Sequence, residues 1–256
     1  MSQPLWLMMG TAFLLRTTHT TASGRRYLLS AKHTFAPWQY VKDPERLKIP
    51  EDCRKTRFII GRLYLPDKEG HALASSSMEL QLVALHPTLD VALLALKAPS
   101  PASAGASVHA VLGEVERRAD AAGSGLALSP IDPATSTTCV VAGYRGAGSL
   151  GLLDTFDPDL LQKLPAAQRD ELLSKLRCVE GEQVAAVAQV EVLHASGMCR
   201  AVQGRCYHGM SGAPVLVDEG TCGGVLYGKH AECAEHLGYT PASCFEEWVR
   251  SAVGAG

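Results

Sequence analysis

Three residues of this chain have the types that acyl transfer needs: a base, a carboxylate to orient it and a hydroxyl nucleophile. His33 follows YLLSAK at 27–32, at the exit of a short apolar run. Asp90 directly precedes the apolar run VALLAL at 91–96. Ser211 stands between glycines in CYHGMSGAPV at 206–215. Each lies at the boundary of an apolar run, in the order His, Asp, Ser. Such a set would let His33 take the proton of Ser211 as the hydroxyl attacks a carbonyl. The N–H groups of a glycine-rich turn would face the negative charge that develops. Taken singly, each residue also has an ordinary reading: a solvated histidine, a turn aspartate or a tight surface turn. The order and the shared placement at strand ends favour the chemistry.

The elements that must position these residues read mainly as β-strands. GTAFLL at 10–15 and RYLLSA at 26–31 are short apolar runs separated by a polar stretch, as in a hairpin with a long connection. RFIIGRLYLP at 57–66 and MELQLVALHP at 78–87 alternate, as half-buried strands do, and VALLAL fits a fully buried one. Residues 98–124 are rich in Ala, Ser, Pro and Gly and read as a connection. Strands resume at 137–144, 184–195, 213–217 and 222–228. DPDLLQKLPAAQRDELLSKL at 157–176 reads as a helical insert, opened by Asp157 and Pro158. The run SCFEEWVRSAV predicts a closing helix, with Ser243 and Glu246 in capping-box spacing and Phe245, Trp248, Val249 and Ala252 on one face.

Composition narrows the function classes. Hydrophobic residues make up 46% and charged residues 20% of the 256, as in an ordinary globular chain. A net charge of −2 gives no footprint for nucleic acid. No apolar stretch reaches the ~20 residues of a membrane span. No basic residue precedes PLWLMMGTAFLL at 4–15, so a first strand is favoured there over a signal peptide. That slightly favours an intracellular chain over a secreted one. The eight cysteines show no CxxC spacing, and no metal or other cofactor is expected. Mostly free thiols are expected rather than a disulfide framework.

In these segments the chain resembles the trypsin-like, chymotrypsin-fold serine peptidases. LLSAKHTF at 28–35, HPTLDVALLAL at 86–96 and GMSGAPV at 209–215 are similar to the segments around that family's histidine, aspartate and serine. GTAFLL resembles its opening strand, GGVLYG at 223–228 the strand lining its substrate cleft, and YTPASCFEEWVRSAV its closing helix. The resemblance implies an all-β fold of two antiparallel six-stranded β-barrels with a C-terminal helix. The barrels would occupy 1–98 and 129–256, joined by a linker at 99–128, with the insert at 157–176 in the second. It implies a serine endopeptidase acting on polypeptides, with His33 as base, Asp90 as orienting carboxylate and Ser211 as nucleophile. The N–H groups of Gly209 and Ser211 would form the oxyanion hole, and Tyr227 and Gly228 would line the cleft.

Several positions depart from the family or stay open. Met210 stands where digestive and clotting members carry an aspartate, which places the resemblance closer to the HtrA-like branch. Lys32 replaces the usual alanine before the histidine and stands to crowd the base or depress its pKa. Arg205 and His208 either rim the primary specificity pocket or are solvated loop side chains. If Arg205 forms the pocket floor, acidic substrate side chains are preferred; a one-residue shift would put Gly204 there and favour apolar ones. Tyr227 is a cleft wall or a core tyrosine, and Cys206 with Cys233 is a bridge or a pair of free thiols. The insert at 157–176 offers a face to a protein partner. The alternative function is a pseudopeptidase that kept the fold and serves as a binding or scaffold module.

Overall fold

The computed structural model describes residues 10–16, 26–40, 60–66, 72–96, 125–131, 138–144, 183–193, 197–203, 206–207, 209–218, 220–229 and 236–254. The insert at 157–176 and most of the linker lie outside them. The first five strands are β1 (Ala12–Leu14), β2 (Tyr27–Ser30), β3 (Ile60–Pro66), β4 (Ala72–Leu85) and β5 (Ala92–Leu96). They form one antiparallel sheet in the order β1-β2-β5-β4-β3. The hairpin expected at the start is present, with Ala12 opposite Ser30.

β2 and β5, at the middle of this sheet, are buried on both faces, which is why β5 is a continuous apolar run rather than an alternating one. Leu29, Leu93 and Ala95 face one core, and Leu28, Leu94 and Leu96 face another. All five residues of β5 are buried. Each fully buried leucine contributes about 1.5–3 kcal/mol.

The second half holds β6 (Ala127–Leu128), β7 (Thr138–Tyr144), β8 (Gln183–Leu193), β9 (Gly197–Gln203), β10 (Pro214–Asp218), β11 (Thr221–Lys229) and β12 (Leu237–Pro241). Six of them follow the order β10-β7-β8-β9-β12-β11, and β11 pairs back to β10. The sheet therefore closes into a six-stranded barrel, which leaves none of those strands as an edge. β6 adds parallel to β11. The barrel interior is filled by Val141, Ala188, Met210, Val215, Leu226 and Tyr239, among others. The fold is thus mostly β, with one closed barrel; among the described residues the first half is a five-stranded sheet in open order.

Helix α1 (Glu246–Gly254) closes the described chain. The expected capping box does not form, because Ser243 lies inside a 3-10 turn at Ala242–Cys244. Phe245, 1% exposed, sets the entry to the helix instead, and its N–H bonds Ala242 O at 3.1 Å. Phe245, Val249 and Val253 pack among Phe13, Tyr27, Leu29, Val91 and Leu93. A helix that follows the barrel in sequence is therefore buried against the first sheet, and it joins the two halves.

Candidate active site

Antiparallel pairing brings the first two candidates to one sheet end. β2 and β5 are neighbours, with Ser30 opposite Ala92. His33 lies three residues past Ser30 and Asp90 two before Ala92, so both stand where β2 exits and β5 enters. The chain leaves β2 through a 3-10 turn at Lys32–Thr34, closed by Phe35 N–H on Lys32 O at 2.9 Å. Both oxygens of Asp90 engage His33: Oδ1 accepts its backbone N–H at 2.8 Å, and Oδ2 lies 2.6 Å from Nδ1. An ionised carboxylate only accepts, so this contact puts a proton on Nδ1, and in the neutral ring the lone pair is then on Nε2. The two side chains are 15% and 14% exposed, which leaves the pair little screened by water.

Lys32 directly precedes His33. Its side chain is buried and turns to the loop that carries Asp90, where Nζ donates to His86 O at 2.9 Å and reaches Pro87 O at 3.5 Å. Among the described residues no carboxylate pairs with it. The same loop is held from inside by the His86 ring, whose Nδ1 accepts the N–H groups of Thr88 and Leu89 at 3.3 and 3.0 Å. His86 stacks edge-on against Trp248 of α1 with centroids 5.0 Å apart. Burial, and then the charge of Lys32, hold its pKa below the ordinary histidine value. Tyr40 flanks the pair on the open side. It is 47% exposed, its ring sits edge-on to His33 at 5.8 Å, and its phenol faces Asp90. Partial burial and the Asp90 carboxylate both oppose its ionisation.

Ser211 sits in a tight turn anchored in the barrel. Met210, fully buried, fills the barrel interior at the position just before the serine, an apolar anchor in place of an ionic one. Its Sδ accepts Tyr207 N–H at 3.3 Å, and Ala213 N–H bonds Met210 O at 2.8 Å. Gly209 and Gly212 have φ of 92° and 90°, a region that costs any other residue. Space also requires the second glycine. A Cβ on Gly212 would lie 2.1 Å from Thr11 O, 2.4 Å from Ser30 Oγ and 2.8 Å from Ala31 N. The turn is thus pressed against the strand that leads to His33. Gly212 N–H bonds Leu226 O at 2.7 Å on its other side. Among the described residues, no backbone carbonyl accepts from the N–H of Gly209 or Ser211, and no hydrogen bond joins Ser211 Oγ to His33 Nε2.

Tyr227 and Gly228 follow Leu226 directly, beside this turn. Tyr227 occupies a bulge between Leu226 and Gly228 in the pairing of β11 with β12. It is half-buried, with its ring over Gly238, where a Cβ would come within 2.2 Å of it. Gly228 has φ of 134° and open space where a side chain would stand. Arg205 and His208 lie outside the described residues. Cys206 is not in a disulfide, so the bridge to Cys233 is not formed. Among the described residues no cluster of three or more His, Cys, Asp or Glu could hold a metal ion, and no helix is long and apolar enough to cross a membrane.

Thr11, Tyr40 and His86 were not singled out in the sequence. Tyr40 is seven residues past His33, and only the two 3-10 turns between them fold it back. Thr11 precedes its contact at Gly209 by 198 residues, a separation across which sequence carries no signal.

No family model and no curated protein matches the chain. Solved structures do. A Glu endopeptidase in complex with MPD is similar with a TM-score of 0.52 and 12% identity, over 95% of this chain and 90% of that one. The active form of the Rv3671c protease from M. tuberculosis gives 0.44 and 16%, over 86% of this chain and 66% of that one. The HtrA-type protease AlgW with a decapeptide gives 0.44 and 12%, over 89% and 48%. The chain spans just under two thirds of the Rv3671c protease and about half of AlgW. At 12% identity the likeness to the Glu endopeptidase establishes a shared fold.

Proposed function

We propose that this chain is a serine endopeptidase working through His33, Asp90 and Ser211. The observation that carries the proposal is the double contact of Asp90 on His33, which orients the ring and leaves Nε2 as the base. Nε2 takes the proton of Ser211 Oγ while Oγ bonds to the carbonyl carbon of the substrate. The carbonyl oxygen becomes an oxyanion facing the N–H groups of Gly209 and Ser211. His33 then gives its proton to the leaving amine, the C–N bond breaks, and an acyl group remains on Ser211. Water, deprotonated by His33, releases the acid and restores the hydroxyl. Contacts between nucleophile and base commonly tighten only with substrate bound, which fits the absent bond between Ser211 and His33.

The substrate is an extended polypeptide running past Tyr227 and Gly228, where the missing side chain of Gly228 leaves room for a backbone. Arg205 and His208 rim the pocket for the residue preceding the cut. With Arg205 at the floor, that residue is acidic; with Gly204 there, it is apolar. We read the five strands of the first half as the first barrel of residues 1–98, the segment 99–128 as linker and 129–256 as the second barrel. We propose the insert at 157–176 as the contact for a protein partner. The competing reading, a binding module without activity, draws on the unmade bond between Ser211 and His33. Cleavage of a peptide library separates the two. Wild-type protein should cut, and Ser211→Ala and His33→Ala should each lose the activity by several orders of magnitude while staying folded. Folded wild-type protein that cuts nothing supports the binding module.

A further inference from the structure

Thr11 is 3% exposed and stands just before β1, at the junction of the two halves. Four hydrogen bonds converge on it. Tyr144 N–H, at the end of β7, donates to its Oγ1 at 3.0 Å. Its Oγ1 donates to Gly209 O at 2.9 Å. Its backbone N–H donates to Ser211 O at 2.7 Å, and its carbonyl accepts Ser30 Oγ at 2.7 Å. Because Oγ1 accepts from Tyr144, its single proton is committed to Gly209.

The consequence is geometric. The carbonyls of Gly209 and Ser211 are both held on the Thr11 side, so the peptide units 209–210 and 211–212 are fixed. The Ser211 N–H belongs to the unit between them, whose own carbonyl, Met210 O, accepts Ala213 N–H at 2.8 Å, so that unit cannot turn over without breaking this bond while Thr11 holds both of its flanks. Gly212 N–H on Leu226 O fixes the far end. The same threonine accepts from Ser30, three residues before His33, so the turn bearing the base and the loop bearing the serine are registered through one residue.

We propose that Thr11 is the positioning residue of the oxyanion-binding loop, with its hydroxyl as the operative group; this rests on the reading of Ser211 as nucleophile. Thr11→Val removes the hydroxyl at nearly constant shape, and Thr11→Ser keeps it. A displacement of the loop by about 1 Å would lower kcat by about 10- to 100-fold in Thr11→Val with KM little changed. Affinity for a peptide boronate, which mimics the tetrahedral intermediate, should fall in proportion to kcat. Thr11→Ser should recover to within about threefold of wild type. A Thr11→Val protein that melts lower but keeps its kcat below the melting range would overturn the proposal, as would a Thr11→Ser protein no better than Thr11→Val. If Thr11→Val does not fold, Thr11→Cys, with a weakly donating thiol, takes its place in the comparison. Amide exchange across 209–213 decides the point without activity. Exchange at Gly212 should rise at least about tenfold in Thr11→Val and not in Thr11→Ser; equal exchange in all three proteins would overturn the proposal. Wild-type protein that neither cleaves nor binds the boronate sinks the nucleophile reading instead, while the exchange result still stands for Thr11.

Discussion

Gly212→Ala probes the packing of the candidate nucleophile turn with a single methyl group. At φ of 90° the substitution costs about 1–2 kcal/mol in backbone strain alone. The added carbon would also stand 2.1 Å from Thr11 O, 2.4 Å from Ser30 Oγ and 2.8 Å from Ala31 N. Ordinary contacts between such atoms lie near ~3.5 Å, so the turn or the strand must move by roughly 1 Å. Two of the three obstructing atoms are backbone, and Ser30 Oγ is bound to Thr11 O, so none yields freely. Overpacking of this kind costs about 1–3 kcal/mol more. For a chain of this size the combined loss lowers the melting temperature by about 10 °C. The shift also moves Ser211, and turnover should fall about 100-fold below the new melting range. Thermal unfolding followed by circular dichroism, with peptide cleavage on the same samples, measures both. Gly254→Ala is the control, since nothing lies within 4 Å of its added carbon. A Gly212→Ala protein that melts within about 2 °C of wild type and keeps its rate would refute the reasoning.

Three further outcomes follow from the site. Asp90→Asn should cut kcat by about 10⁴-fold, because the amide presents a donor to Nδ1 and shifts the lone pair away from Nε2; steady-state kinetics showing less than a tenfold loss would contradict this. His86 is held below the ordinary value of 6.5, so the unfolded chain takes up its proton more readily than the folded one. Its contribution to stability is complete above about pH 6.5 and is lost as pH falls from there toward the folded value. Urea unfolding at several pH values should show that slope in wild type and a flatter one in His86→Asn, which keeps an acceptor oxygen for the loop. Burial pushes the Cys222 thiol up to about 12 and Cys206 up to about 11, whereas Cys244 is exposed. Among the described cysteines, maleimide mapped by peptide mass should therefore mark Cys244 first and Cys222 only on unfolding; native labelling of Cys222 would count against its place in the core.

What could be read from the sequence was whatever local pattern decides. The run VALLAL had only one place to go, a strand buried on both faces, and β5 is that strand. His33 and Asp90 were legible because an antiparallel neighbour brings the end of one run to the start of the next. β9 and β12 were not. Their glycines, Gly197 and Gly238, look like breaks, but each makes room for an aromatic ring from a neighbouring strand, Tyr239 and Tyr227. The spacing of Ser243 and Glu246 was misleading because burial of Phe245, not a side-chain cap, sets where α1 begins. Lys32 pointed to the base by adjacency, yet a long side chain acts where its end lies, here on the carbonyls before Asp90. Thr11 depends on register across the whole chain and left no local mark.

The central claim is that Ser211 is a nucleophile activated by His33. A fluorophosphonate probe phosphonylates only an activated serine, so the direct test is to treat the folded protein and locate the adduct by peptide mass. One adduct is expected, on Ser211, and none in His33→Ala. Folded wild-type protein that stays unmodified, or an adduct that forms equally well without His33, would contradict it.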